Sequence, residues 1–134
     1  MSQQILSACH SLKLVPINRL ARYSRIGSKI IMTVLGVADN AKAVPGTITV
    51  ASSSEKGVIS KTITYNRAGI SPEATDELDN YKSQAIVAIY TDESGHERVC
   101  GSPMYPLNLD YIEKNGVYNV TLTGKDHRVD CFID

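Results

Sequence analysis

Ser71-Pro-Glu-Ala-Thr-Asp-Glu-Leu-Asp-Asn-Tyr-Lys82 is followed, after two further residues, by Ala85-Ile-Val-Ala-Ile-Tyr90, and these segments decide the fold. Ser71 is a good helix N-cap, and Pro72 fits the first helical position, where no backbone N–H is needed. An apolar stripe at i, i+4 and i+7 predicts that the helix packs on a sheet; it consists of Ala74, Leu78 and Tyr81. The second segment is apolar on both faces, which predicts a central strand covered by that helix.

On either side of this unit the pattern is that of strands. Residues 58–65 and 117–123 alternate, and Asp92–Gly95 and Asn115-Gly116 are typical of hairpin turns. Further strands are predicted at 29–37, 47–50, 96–101, 107–111 and 127–133. Residues 12–23 are predicted as an edge strand or irregular chain, although Asn18–Arg25 fits one or two helical turns equally well, and residues 52–57 are predicted as a loop. We therefore expect a mainly β (α+β) fold, an antiparallel β-sandwich or open barrel with one packed helix at about residues 72–84.

The composition fits one domain spanning residues 1–134. Apolar residues make up 43% and charged residues 21% of the 134 residues, which excludes a disordered chain, a collagen-like repeat and a disulfide-dense scaffold. The formal net charge of zero argues against a strongly basic nucleic-acid-binding protein. No apolar run approaches the ~20 residues of a membrane span, and the N-terminus has no signal-peptide pattern, so we expect synthesis in the cytoplasm and no membrane partner.

Charge is segregated along the chain. Residues 1–38 hold five basic residues and no acid. Residues 39–134 hold nine basic and all 14 acidic residues, which gives this part a net charge of −5. The basic segment fits an exposed strand face, an arm that contacts the acidic body of another copy, or, less well, a phosphate-binding arm. Its candidate interaction residues are Arg19, Arg22, Arg25 and Lys29.

No set of residues has the spacing of a catalytic or metal site. Cys9, Cys100 and Cys131 form neither a CxxC pair nor a zinc pattern, and we expect reduced thiols. On a strand, His127 and Asp130 point to opposite faces, which argues against a metal site that they share with Asp134. We therefore expect a protein that is not an enzyme, with no catalytic residues, no cofactor, no metal and no small-molecule substrate.

Two further residue sets have ordinary explanations. Along a strand, Cys100 and His96 lie ~13 Å apart, too far for a catalytic dyad. Most of the seven tyrosines are expected in packing, but Tyr105 and Tyr111, with the Ser102–Pro106 loop, are candidates for contacting a ligand. They define an alternative, a small non-catalytic β-sandwich module that binds sugar or peptide.

Several quoted segments resemble one class of protein. They follow the order strand, helix, acidic hairpin, Gly-Ser…Pro-Leu loop and final strand. The segments are Val58–Tyr65, the Ser-Pro-capped helix, Ala85–Gly95, Arg98–Leu107 and Gly116–Gly124. This order resembles small neck or tail proteins of tailed bacteriophages and of prophages in gut bacteria, over about residues 58–124. The resemblance implies a β-sandwich with a helix that assembles into rings around a DNA passage, and it carries over no individual functional residue.

The expected function follows from the resemblance and from the charge pattern. We expect a phage-type virion structural or assembly protein, a neck, tail-tube or tail-completion subunit, that acts by self-association. Its expected partners are copies of itself in a ring and other virion proteins, with DNA nearby in the lumen. Its expected location is the virion, or the host cytoplasm during assembly.

Overall fold

The computed structural model describes residues 3–8 and 11–133, with side chains from Ser11 onward. These residues form twelve strands, a short 3-10 turn at Ile17–Arg19 and one α-helix. The helix α1 is Pro72–Lys82. The strands are β1 Gln3–Ala8, β2 Ser11–Pro16, β3 Leu20–Ile26, β4 Lys29–Val34, β5 Asp39–Asn40, β6 Thr49–Glu55, β7 Val58–Arg67, β8 Ala85–Thr91, β9 Glu97–Cys100, β10 Leu107–Lys114, β11 Val117–Asp126 and β12 Cys131–Ile133.

The strands form one large mixed sheet. Its order is β1-β6-β7-β11-β10-β8-β9-β12-β4-β3, and β2 joins through β8 and also pairs with β5. The pairs are antiparallel, except that β12 runs parallel to β4 through Phe132↔Lys29 and Ile133↔Ile30. The predicted class, mainly β with one packed helix, is confirmed. The described residues include no helix that is long and apolar enough to cross a membrane.

Strand β8 is central, as its sequence predicts. It pairs with β2 from Ile86 to Thr91, and its other edge is shared by β10 and β9. Ile86, Ala88 and Tyr90 enter the larger core with the helix, while Val87 and Ile89 enter a second core with strands β4 and β12. The two faces of one strand therefore join two hydrophobic clusters.

The helix begins as predicted. Ser71 accepts a hydrogen bond from the Ala74 N–H at 3.1 Å, and Pro72 occupies the first turn. The predicted stripe of Ala74, Leu78 and Tyr81 is buried. The helix ends at Lys82, two residues earlier than expected, and Ser83 is its C-cap.

Two element boundaries differ from the prediction. Residues 52–55 are strand and not loop, because β6 continues to Glu55 and is paired on one edge with β1 and on the other with β7, whereas Lys56 and Gly57 form a turn. Hydrogen bonds on both edges outweigh the weak strand propensity of the serines. The predicted strand over residues 127–133 contracts to Cys131–Ile133, and residues 127–130 form the link from β11.

The N-terminal segment also differs from expectation. Residues 11–16 are not an irregular edge, because β2 pairs with β8 over six residues and its Leu14 and Val15 are fully buried. The predicted strand over residues 29–37 ends at Val34. The basic segment then continues into the β3–β4 hairpin, residues 20–34, of which Ile30 is buried in the second core while Arg22, Ile26 and Lys29 are exposed.

Candidate functional site

The β3–β4 hairpin lies at one end of the sheet. Of the twelve described strands, β3 pairs with β4 alone, and β4 is joined to the body by its short parallel pairing with β12. The tip residue Ile26 is 69% exposed, and Arg22 is exposed on the outer strand. Lys29 is also exposed, on the inner strand. The hairpin thus presents an edge strand with positive charges and an apolar tip.

Arg19 lies at the base of the hairpin and is bound within the chain. Its Nη1 lies 2.9 Å from Asp39 Oδ2, its Nε donates to the Leu35 carbonyl at 3.3 Å, and its Nη2 donates to the Val37 carbonyl. Asp39 also accepts a hydrogen bond from the Tyr81 hydroxyl at 2.7 Å. The Tyr81 hydrogen bond, followed by that of Arg19, holds the pKa of Asp39 below its usual value. Arg19 therefore fixes the loop after β4.

Arg25 turns toward a groove beside the hairpin. Its Nε donates to the Gly27 carbonyl at 3.0 Å. The groove has a volume of about 340 Å³. It lies between the hairpin, the 102–105 turn and the link that leaves β11, and its polar and aromatic lining consists of Tyr23, Arg25, Ser102, Tyr105, Asp126, His127 and Arg128. Arg25 and Tyr105, two residues singled out in the sequence, are thus brought to one place.

Tyr105 belongs to a tight turn. The Ser102 N–H donates to the Tyr105 carbonyl at 3.1 Å, and the Tyr105 N–H donates to Ser102 Oγ at 3.0 Å. The Tyr105 ring meets His127 edge to face at 5.6 Å. Met104, at the tip of this turn, is 77% exposed. The turn therefore fixes the tyrosine along one wall of the groove.

Tyr111 lies in different surroundings. Its hydroxyl donates to Asp79 on the helix, and this hydrogen bond raises the pKa of Tyr111 to about 12. Its ring meets the buried Tyr118 edge to face at 5.7 Å, and the Lys82 ammonium lies 5.8 Å from the ring centre. Tyr111 thus binds strand β10 to the helix and does not share the groove of Tyr105.

A buried ion cluster lies next to this groove, and no motif in the sequence indicated it. Lys61 is 4% exposed, and its Nζ lies 2.8 Å from Asp130 Oδ1 and 3.7 Å from Asp126 Oδ2. The Tyr90 hydroxyl donates to the other oxygen of Asp130, and Arg98 donates to the Asp130 backbone carbonyl at 2.6 Å. A buried lysine needs such partners, because an unpaired charge is very costly away from water.

The protonation states in this cluster follow from its geometry. Burial alone would lower the pKa of Lys61, but the Asp130 carboxylate outweighs it, and the pKa lies above its usual value. Burial, with Asp130 close by, raises the pKa of the Cys100 thiol. Cys100 is therefore a protonated, buried thiol and a poor nucleophile. Cys100 and Cys131 are free and buried, whereas Cys9 lies outside the described residues.

The weaker candidate sets are placed apart. His127 Nδ1 lies 3.2 Å from the Gly57 carbonyl, whereas Asp130 faces Lys61. His96 lies 3.8 Å from Asp92 and packs on Phe132, while Cys100 is in the core. Within residues 3–8 and 11–133, no group of three or more His, Cys, Asp or Glu residues could hold a metal ion. Asp134, the third member of the His127 set, lies outside the described residues.

No family model matches this chain, and neither a curated protein nor a solved structure is significantly similar to it. A function is therefore inferred from the geometry of the chain itself.

Proposed function

We propose that this protein is a structural subunit that associates with copies of itself through the two open ends of its sheet. The observation that carries the proposal is that β1 and β3 each end the strand order with one unpaired edge in the described part of the chain. They have similar lengths, six and seven residues. An unpaired edge offers backbone donors and acceptors to another strand.

Joining two different edges gives a head-to-tail contact. Such a heterologous contact closes into a ring or continues as a filament, because each added copy presents the same free end again. The charge distribution supports this arrangement, since the basic segment of one copy can approach the acidic remainder of the next. In this proposal Arg22 and Ile26 are contact residues on the hairpin.

Exposed apolar side chains lie at both ends of the hairpin. Ile26 is at its tip, and Leu35 and Val37, exposed by 58% and 83%, follow its second strand. The Leu35 N–H donates to the Arg19 carbonyl at 2.8 Å, which holds this loop at the base of the hairpin. Covering these side chains in a contact would add hydrophobic free energy to the backbone pairing.

The finer assignment comes from the resemblance over residues 58–124. It supports a phage-type virion protein, a neck, tail-tube or tail-completion subunit, whose rings contact other virion proteins and surround DNA. The alternative of a sugar- or peptide-binding module has less support. Its two tyrosines contact different elements, Tyr105 the His127 ring and Tyr111 the helix.

Sedimentation velocity of the full chain with matched variants tests the proposal. We expect Ile26→Asp and Arg22→Glu each to weaken self-association by at least about tenfold, because they place a charge or reverse one at the contact. The controls are Ile112→Asp, which charges an equally exposed isoleucine on β10, and Lys13→Glu, which reverses an exposed charge on the interior strand β2.

The variants also need to be folded, which circular dichroism verifies. Arg19 is left intact, because reversing its charge would break the contact with Asp39 inside one copy. A wild-type chain that stays monomeric, or hairpin variants that associate as the controls do, would overturn the proposal.

A further inference from the structure

The groove beside the hairpin combines cations with aromatic rings, and we propose that it binds a nucleotide. Arg25 and Arg128 would hold the phosphate, and the ring of Tyr105 would pack against the base. Arg25 and Arg128 are 103 positions apart in the chain, and both line the groove because β12 pairs with β4. The inference is independent of the proposed self-association.

The cations of the groove retain free donors. Among the described residues Arg25 uses only its Nε, which donates to the Gly27 carbonyl, so its terminal nitrogens remain available. Arg128 is exposed and has no ion pair with any residue in the described part of the chain. Guanidinium groups bind phosphate oxygens with paired, charge-assisted hydrogen bonds. Two of them in one groove therefore favour a phosphate group.

Among the described residues that line the groove, Asp126 is the one with a carboxylate. Asp126 lies 3.7 Å from the Lys61 ammonium, and its Oδ1 accepts the His127 N–H at 2.6 Å. Its side chain is 14% exposed. Asp126 shares the Lys61 ammonium with Asp130 and is therefore only partly neutralised, but the two guanidinium groups in the lining outnumber it and leave the groove with a net positive charge.

The aromatic part of the groove is held in place. Tyr105 is fixed by its turn and by His127, whose Nδ1 donates to the Gly57 carbonyl at 3.2 Å. The Tyr23 hydroxyl donates to the Gly101 carbonyl at 3.4 Å. Burial raises the pKa of Tyr23 to about 12. Ordered rings of this kind stack on any base without selecting its sequence.

The size of the groove favours one nucleotide over a duplex. A volume of about 340 Å³ is at the lower end of the range for small-molecule sites. The ligand can be a free nucleotide or one nucleotide of a single strand, since the phosphate and the base are the same. A duplex hides its bases in the stack and cannot offer one to Tyr105.

Calorimetry with the full chain tests the proposal. The probes are thymidine monophosphate, thymidine, inorganic phosphate, single-stranded oligothymidine and a duplex of the same length. We expect the monophosphate to bind at least about tenfold more tightly than thymidine or phosphate alone, because each lacks one half of the contact. Tighter binding of the single strand than of the monophosphate would identify a strand as the source, and equal binding a free nucleotide.

Two variants and one control locate the site. Arg128→Ala is expected to weaken binding of the monophosphate about tenfold, and Tyr105→Leu to weaken it severalfold. Lys125→Ala removes an equally exposed cation that does not line the groove, and we expect no change. Equal effects of Arg128→Ala and Lys125→Ala, phosphate binding as tightly as the monophosphate, or a preference for the duplex would each overturn the proposal.

Discussion

The Lys61 ammonium lies 2.8 Å from the Asp130 carboxylate, and the two side chains are only 4% and 9% exposed. Lys61 is on β7, and Asp130 directly precedes β12, which pairs with both β9 and β4. This ion pair therefore fixes the strand that holds the basic hairpin against the body. The position of the proposed contact surface depends on a buried pair of charges.

Removing one member of the pair leaves the other buried without a partner. We predict that Lys61→Met lowers the free energy of unfolding by about 3–5 kcal/mol. Urea denaturation measures the change, with Lys125→Met as the control on an exposed lysine. The double variant Lys61→Met/Asp130→Leu is expected to recover part of the loss, because the Lys61–Asp130 charges are removed together while Asp126 and the Tyr90 hydroxyl still lose a partner. A loss below about 1 kcal/mol for Lys61→Met would contradict the role of the pair.

The ionisation of Asp39 makes the stability of the folded protein depend on pH in the acidic range. The hydrogen bond from Tyr81, and then that from Arg19, lower the pKa of Asp39 in the folded state. A lowered folded pKa gives stability that is present above the unfolded value of about 3.9 and is lost as pH falls through the folded pKa. We predict that Tyr81→Phe moves the NMR titration midpoint of Asp39 upward. An unchanged midpoint would show that the hydroxyl does not act on this carboxylate.

Gly124 allows the 103–106 loop to cross β11 closely. A Cβ at this position would lie 2.8 Å from Leu107 Cδ2 and 3.0 Å from the Pro106 carbonyl oxygen. We predict that Gly124→Ala lowers the free energy of unfolding by about 1–3 kcal/mol, because Leu107 is buried and the carbonyl is backbone. Thr123→Ala, a substitution at the adjacent exposed residue, is the control, and thermal denaturation is measured for both variants. Equal melting temperatures for the two variants would contradict this steric account.

Parts of this architecture were predictable because their signals are local. The Ser71 cap, the Pro72 position and the stripe through Leu78 fix the helix within one segment of chain. The apolar run of β8 likewise predicts a strand buried on both faces. In contrast, the strand content of residues 52–55 depends on two neighbouring strands, of which β1 lies more than 40 residues away in sequence.

The candidate sites were less predictable because they combine distant residues. Lys61 lies on the same side of β7 as Ile63 and Tyr65. A lysine can be buried there only if a carboxylate is present as its partner. That partner, Asp130, is 69 residues further along the chain. Arg25 and Tyr105 were recognisable as candidates, but only the pairing of β12 with β4 places them in one groove.

The free edge of β3 gives a residue-specific prediction. Ile26 and Lys29 flank a two-residue turn and form a hydrogen-bonded pair. Because hydrogen-bonded and non-hydrogen-bonded pairs alternate along an antiparallel ladder, the N–H groups of Tyr23 and Arg25 point away from β4. We predict that hydrogen exchange at these two amides slows as protein concentration rises. The amide of Gly95, in the turn between β8 and β9, is the control and is expected to stay unchanged. Exchange at Tyr23 and Arg25 that is independent of concentration would contradict pairing at this edge.

Self-association is tested most directly by the molar mass of the full chain, measured by light scattering over a wide dilution series. The account predicts a mass that is a multiple of the 14.6 kDa subunit at high concentration and that falls toward one subunit on dilution or in Ile26→Asp. A mass of 14.6 kDa at every concentration would contradict it.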